Sequence, residues 1–161
     1  MPKIDINALP ALSGTSYPSP YDRVVKGRSK KILGDAAGLD QFGVNLTRLA
    51  PGAASAHRHW HQNEDEFVFI VEGEGVLVED DGETTLRAGA AAAFKAGVAN
   101  GHQIVNRSER DVVFLEIGTR SRDDVSTYSD PGVDLQMRKI DGAWKPHRKN
   151  GDPFPQKDKG D

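Results

Sequence analysis

Three of the five histidines in this 161-residue chain, His57, His59 and His61, occupy alternate positions, and Glu66 follows them. In an extended strand, side chains two apart project to the same face, so these imidazoles point one way. Two or three imidazoles beside a carboxylate are what a divalent transition metal binds. Because liganding imidazoles must be neutral, affinity is expected to fall below about pH 6, near the unperturbed histidine pKa. A lone histidine is more often structural or exposed, and His147 is read that way.

Strands must position such residues, and the surrounding sequence is patterned for them. Phe42 to Leu49 alternates apolar with small or polar residues, and Pro51-Gly52 is a turn signal. The histidine stretch follows as a strand. Glu66 to Glu72 is a nearly continuous run of β-branched and aromatic residues, predicted as a central strand buried on both faces. With Glu66 pointing inward, Val68 and Ile70 share its face and give a cavity apolar walls, while Trp60 faces the outer layer. Gly73 and Gly75 break the run. Short strands are then expected at 75–80, 83–88, 91–97, 102–106 and 111–118, with turns at Asp81-Gly82, Gly89 and Asn100-Gly101. About eight short strands at this spacing indicate an all-β sandwich or closed barrel.

The flanks are less patterned. Residues 1–40 read as an irregular arm packing on the barrel or on a partner subunit, with Tyr17 and Tyr21, flanking two prolines, as its aromatic anchors. The barrel takes 41–120. Residues 121–161 form an extension with one modest strand at 133–140 and a loosely ordered polar tail, at least past Pro155. Arg23, Lys26, Arg28, Lys30 and Lys31 read as a solvated basic edge, and Glu64 and Asp65 as solvated acids.

Composition narrows the function classes. A net charge of -3 and a pI of about 5.9 argue against a nucleic-acid partner. Mean hydropathy is -0.57, and the longest small-apolar run, 88–94, is far too short for a membrane span. The absence of cysteine excludes disulfides and thiolate metal sites. The N-terminus does not read as a signal peptide, so a cytoplasmic location is the default expectation.

His59-Trp60-His61, then Glu66 after four residues and Gly73 after six more, resembles the first motif of the cupin superfamily. The alternative frame, His57 with His59, fits that spacing poorly and leaves His57 as a spare histidine, either supporting the ligands from behind or exposed. Gly89, Lys95-Ala96-Gly97, His102 and Asn106 resemble the second cupin motif. Lys95 replaces a proline there, Ala90 stands where an aspartate is common, and the spacer before His102 is wider than usual. The longer pattern, from Tyr17-Pro18-Ser19-Pro20-Tyr21 through the histidine stretch to Glu116-Ile117-Gly118, resembles small bacterial single-domain cupins of the uncharacterised or sugar-phosphate isomerase-like kind.

The resemblance implies a double-stranded β-helix, or jelly-roll barrel, with His59, His61, Glu66 and His102 as metal ligands. It also implies a homodimer paired through edge strands. Three neutral imidazoles and a carboxylate suit Zn, Mn, Fe, Ni or Co, and four protein ligands leave positions open for a small molecule. One expected function is a metal-dependent isomerase acting on a small polyol or sugar derivative; if the substrate is a phosphate ester, Arg48 and Lys95 are the basic candidates. The alternatives are an Fe(II)-dependent oxygenase and a non-catalytic small-molecule binding or sensing module. Fold alone does not choose among them.

Overall fold

A computed structural model describes residues 3–155, and the expected loose tail beyond Pro155 lies outside the described residues. Every named strand pairing is antiparallel. One five-stranded sheet runs β1 (Arg28–Ile32), β2 (Phe42–Leu49), β9 (Val112–Thr119), β4 (Glu66–Glu72) and β7 (Ala91–Phe94). Two smaller sheets complete the all-β barrel. The first is β6 (Gly82–Arg87), β5 (Glu74–Glu79) and β8 (Gln103–Val105); the second is β12 (Ala143–His147), β11 (Gln136–Ile140), β10 (Val125–Tyr128) and β3 (His59–His61).

Register explains how the barrel interior changes along its length. Residues directly opposite each other share a face. The inner face of the large sheet therefore reads in rows: Thr47, Phe114 and Ile70; then Asn45, Glu116 and Val68; then Gly43, Gly118 and Glu66. The interior is apolar at one end and polar at the other. Leu49, Val68, Ile70, Leu77, Leu86, Ile104, Val112 and Phe114 form the apolar core. Burying each such side chain contributes about 1.5–3 kcal/mol, so this end fixes the frame on which the polar end is mounted. Gly73 ends β4 with φ 78°, and a Cβ there would collide with the Asp111 carbonyl. Both the backbone conformation and the close approach require glycine.

β4 is an interior strand, paired on both sides, but it is not buried on both faces. Phe67, Phe69 and Val71 are 40%, 37% and 48% exposed, while Val68 and Ile70 are buried. The continuous apolar run reflects a covered inner face plus an outer face that no other layer covers among the described residues.

The flanks hold more regular structure than their sequence suggests. β1 and a short helix, α1 (Leu33–Ala36), fall within the first 40 residues, and β1 pairs with β2 along its whole length. The region after Gly118 supplies β10, β11 and β12, not one strand. β10 pairs with β3, setting Tyr128 opposite His59 and Ser126 opposite His61. A second core of Tyr17, Val25, Tyr128, Val133, Leu135 and Met137 joins the two flanks beside the histidine strand.

Candidate metal centre

Four side chains converge from two strands and one bridge position. His59 and His61 project from β3 on one face, as alternate strand residues must. Glu66 opens β4. His102 precedes β8 and is tied to His59 by a reciprocal pair of backbone hydrogen bonds of 2.9 and 3.1 Å. The Nε2 atoms of His102, His61 and His59 lie 2.9, 3.5 and 3.9 Å from Glu66 Oε2. His59, His61 and Glu66 offer ligand atoms that all lie within 4.8 Å of one another, close enough to share one ion, and His102 joins them through its contact with the same carboxylate oxygen.

The opposite ring nitrogens fix the histidine orientations. His59 Nδ1 donates to the His57 carbonyl at 2.8 Å, and His61 Nδ1 donates to Asp124 Oδ2 at 2.5 Å. A proton held on Nδ1 leaves the Nε2 lone pair facing inward, the tautomer a metal ligand needs. Asp124 is buried, and its other oxygen accepts from the Asn63 amide at 2.7 Å. His102 lies flat against Phe94, with ring centroids 3.5 Å apart, and its Nδ1 is buried without a hydrogen-bond partner among the described residues. Three imidazole nitrogens and one carboxylate, with two imidazoles locked in the ligating tautomer, fit a borderline divalent transition metal.

The two strand histidines differ electrostatically. Burial lowers the His59 pKa to about 3, against the pull of Glu66. Tyr128 stacks on that ring at 5.5 Å. Burial also acts to lower His61, but Glu66 and Asp124 outweigh it and raise its pKa. Burial acts to raise Glu66, yet His61 and the hydrogen bond from His102 hold its carboxyl well below the usual carboxylate range.

The cluster opens onto a cleft of about 380 Å³ lined by both flanks as well as the barrel. Lys30, Lys139 and Arg120 line it, together with Tyr17, Tyr128 and Trp144. Sequence reasoning placed the basic groups elsewhere. Arg48 is exposed and paired with Asp111 at 2.6 Å, outside this cleft, and Lys95 is exposed beside a different hollow. Lys30 is not simply a solvated edge residue, since its Nζ reaches Glu116 Oε2 at 2.6 Å inside the cleft. Glu64 is not solvated either. It is buried, and its Oε1 accepts from Lys139 Nζ and the Ser121 amide, both at 2.9 Å. Asp65 is exposed, as expected, and caps the Ala96 amide. His57 points away from the cluster, with Nε2 donating to the Tyr21 carbonyl at 3.0 Å. Its carbonyl orients His59, and its ring packs beside Tyr17 and Tyr128. Tyr17 is an anchor, but it also lines the cleft. Asn106 is a structural residue: fully buried, it donates to the Leu49 and Arg110 carbonyls.

The architecture and donor cluster together define a small cupin-type β-barrel with a His/Glu group that could hold a metal ion. Residues 45–118 match the Cupin domain family model, described as Cupin_2. A sugar phosphate isomerase of the cupin superfamily from Silicibacter pomeroyi, solved by crystallography, is 44% identical. It superposes with a TM-score of 0.91 over 96% of this chain and 97% of that one. A putative sugar phosphate isomerase from Acidithiobacillus ferrooxidans is 29% identical, with a TM-score of 0.70 over 81% of each chain. The β-alanine degradation protein BauB of Pseudomonas aeruginosa is 38% identical over 78 residues, 45% of this chain and 76% of that one. The chain belongs to the cupin superfamily. Among the described residues, no helix is long and apolar enough to cross a membrane.

Proposed function

We propose that this chain is a metal-dependent, sugar-phosphate isomerase-like enzyme whose ligands are His59, His61, Glu66 and His102. The observation that carries the reading is the opening of this donor cluster onto a cleft of about 380 Å³ lined by three cations, Lys30, Lys139 and Arg120. The two structural relatives bearing the sugar phosphate isomerase name support it. The lining carboxylates Glu64, Glu66 and Glu116 balance those cations. A bound dication supplies Lewis-acid pull on a hydroxy-carbonyl unit and leaves the cleft with a positive excess suited to a phosphate dianion. Lys139, seated over the Trp144 ring at 5.5 Å, and Arg120 stand where a phosphate could be held. A cleft carboxylate would move the proton between carbons.

A homodimer belongs to the same proposal. The exposed Phe42, Phe67, Phe69 and Val71 support it, because they form an apolar outer surface that a second copy would cover.

The test is turnover without oxygen. Protein loaded with Mn, Co, Ni, Zn or Fe(II) and held anaerobically should interconvert an aldose phosphate and its ketose, followed by NMR. Turnover that requires both Fe(II) and dioxygen would instead assign an oxygenase. No turnover with any metal, combined with a ligand-dependent rise in melting temperature, would assign a binding module.

A further inference from the structure

The cleft holds a second carboxylate on the sheet that carries Glu66. Glu66 lies opposite Gly118, so Glu116 is its diagonal neighbour on the inner face. Such positions are about 7–8 Å apart, near enough for a substrate bound at the donor cluster to extend over both. Lys30 reaches from β1 across β2 to hold Glu116 Oε2 at 2.6 Å. Between the carboxylates, the floor is made by Gly43 and Gly118, which pair with each other. Neither backbone lies in the left-handed region, and an added Cβ would meet its nearest atom at an ordinary 3.5 and 3.4 Å. The chain geometry does not demand glycine at either place, although glycine in a strand costs roughly 0.5–1 kcal/mol. What the two glycines provide is room beside Glu66, where a ligand can approach the backbone closely.

The other carboxylate outside the donor cluster and the two phenols of the cleft are engaged. Glu64 Oε1 takes Lys139 and the Ser121 amide and hydroxyl. The Tyr128 hydroxyl donates to that of Tyr17 at 3.0 Å in a buried pair, and burial pushes Tyr17 up to about 12, so neither is a base at neutral pH. The histidines and Glu66 form the donor cluster.

We infer that Glu116 is the proton-transfer residue of the cleft, with Lys30 positioning its carboxylate. The inference rests on the isomerase reading. In the aldose-to-ketose direction, the C2–H bond breaks, its proton passes to a Glu116 oxygen, its electron pair forms the C1=C2 bond, and the C1=O1 π pair moves onto O1 to give an enediolate. The O2 hydroxyl proton passes to O1. O2 then re-forms the carbonyl at C2, and Glu116 returns its proton to C1. No electrons enter or leave, so no co-reactant is needed.

The test uses the metal-loaded full chain in D2O with ribose 5-phosphate, glucose 6-phosphate and mannose 6-phosphate. It reads deuterium entering C1 and C2 by NMR, alongside metal per chain and the substrate-induced melting shift. Glu116→Gln should slow exchange by about 100-fold or more, with metal content and melting shift retained, and Glu116→Asp should regain part of the rate. Lys30→Met should slow exchange, and Lys30→Arg should restore part of it. Wild-type protein that exchanges deuterium into none of the three would sink the isomerase reading, and this assignment with it. Wild-type exchange matched by Glu116→Gln would overturn the assignment alone. Loss of metal from Glu116→Gln would also overturn it, because Glu116 would then be holding the donor cluster and not moving protons.

Discussion

The donor cluster lies between two cores of unlike make. On one side, Leu49, Ile70, Phe114 and their neighbours form an apolar core drawn from residues 49 to 114. On the other, Tyr17, Tyr128, Leu135 and Met137, with Trp144 packed against them, join the two flanks. The first core has little but dispersion and hydrophobic burial to offer, and it fixes where the strands lie. The second brings rings and a buried carboxylate to the histidines: Tyr128 against His59, Trp144 edge-on to His61, and Asp124 on His61 Nδ1. One core sets position, while the other sets protonation and orientation.

That division can be broken from either side. Phe114 is fully buried in the apolar core. Phe114→Ala should lower stability by about 3–5 kcal/mol, read as a shift in the urea midpoint, the largest effect expected. A loss below about 1 kcal/mol would mean that this core does not carry the frame.

On the other side, acidity separates the two strand histidines. Burial keeps His59 neutral down to about pH 3, so it offers no proton for a metal to displace above that pH. The His61 pKa lies above its ordinary value because Glu66 and Asp124 outweigh burial, so the folded protein holds that proton longer than a free histidine would. Metal must displace it. Affinity should therefore fall as pH drops through this raised pKa, by up to about tenfold per unit for one proton, and the fall should begin above the pH of about 6 expected from an unperturbed histidine. Calorimetric metal titrations in buffers of different ionisation enthalpy would show proton release that persists above pH 6 and fades as pH rises further. Asp124→Asn should move the fall to lower pH, and an unmoved profile would remove Asp124 from the account.

The smallest effect belongs to the aromatic pair. Tyr17→Phe removes the hydroxyl contact with Tyr128 and should cost about 1 kcal/mol in thermal unfolding. Metal content should be unchanged.

The same two regions differ in how much of them the sequence reveals. Phe42–Leu49 alternates, 67–71 and 112–115 are apolar runs of strand length, and glycine turns punctuate the segment, so the barrel strands and the inward parity of Glu66, Val68 and Ile70 can be read directly. The spacing of His59, His61 and Glu66 leads to one half of the cluster and the second motif to His102, which the fold brings to them. The flanks give no such signal. Val125–Tyr128 is four residues long with no apolar alternation, and its partner β3 lies more than sixty residues earlier. Asp124 sits in a polar stretch that resembles a loop, and only the rule that a ligating histidine needs an acceptor on its other nitrogen could have prompted a search for it. Lys30 and Glu64 were visible only as charges, because their partners Glu116 and Lys139 are brought to them by pairings distant in sequence. The outward phenylalanines of β4 misled for a related reason: a continuous apolar run cannot distinguish a buried face from one this chain leaves uncovered.

The central claim is that three imidazoles and one carboxylate form a single divalent metal site. Elemental analysis of purified wild-type protein beside the His59→Ala/His102→Ala double variant tests it most directly. The account predicts stoichiometric transition metal in the wild type and almost none in a folded double variant. Unchanged metal in the double variant would contradict it.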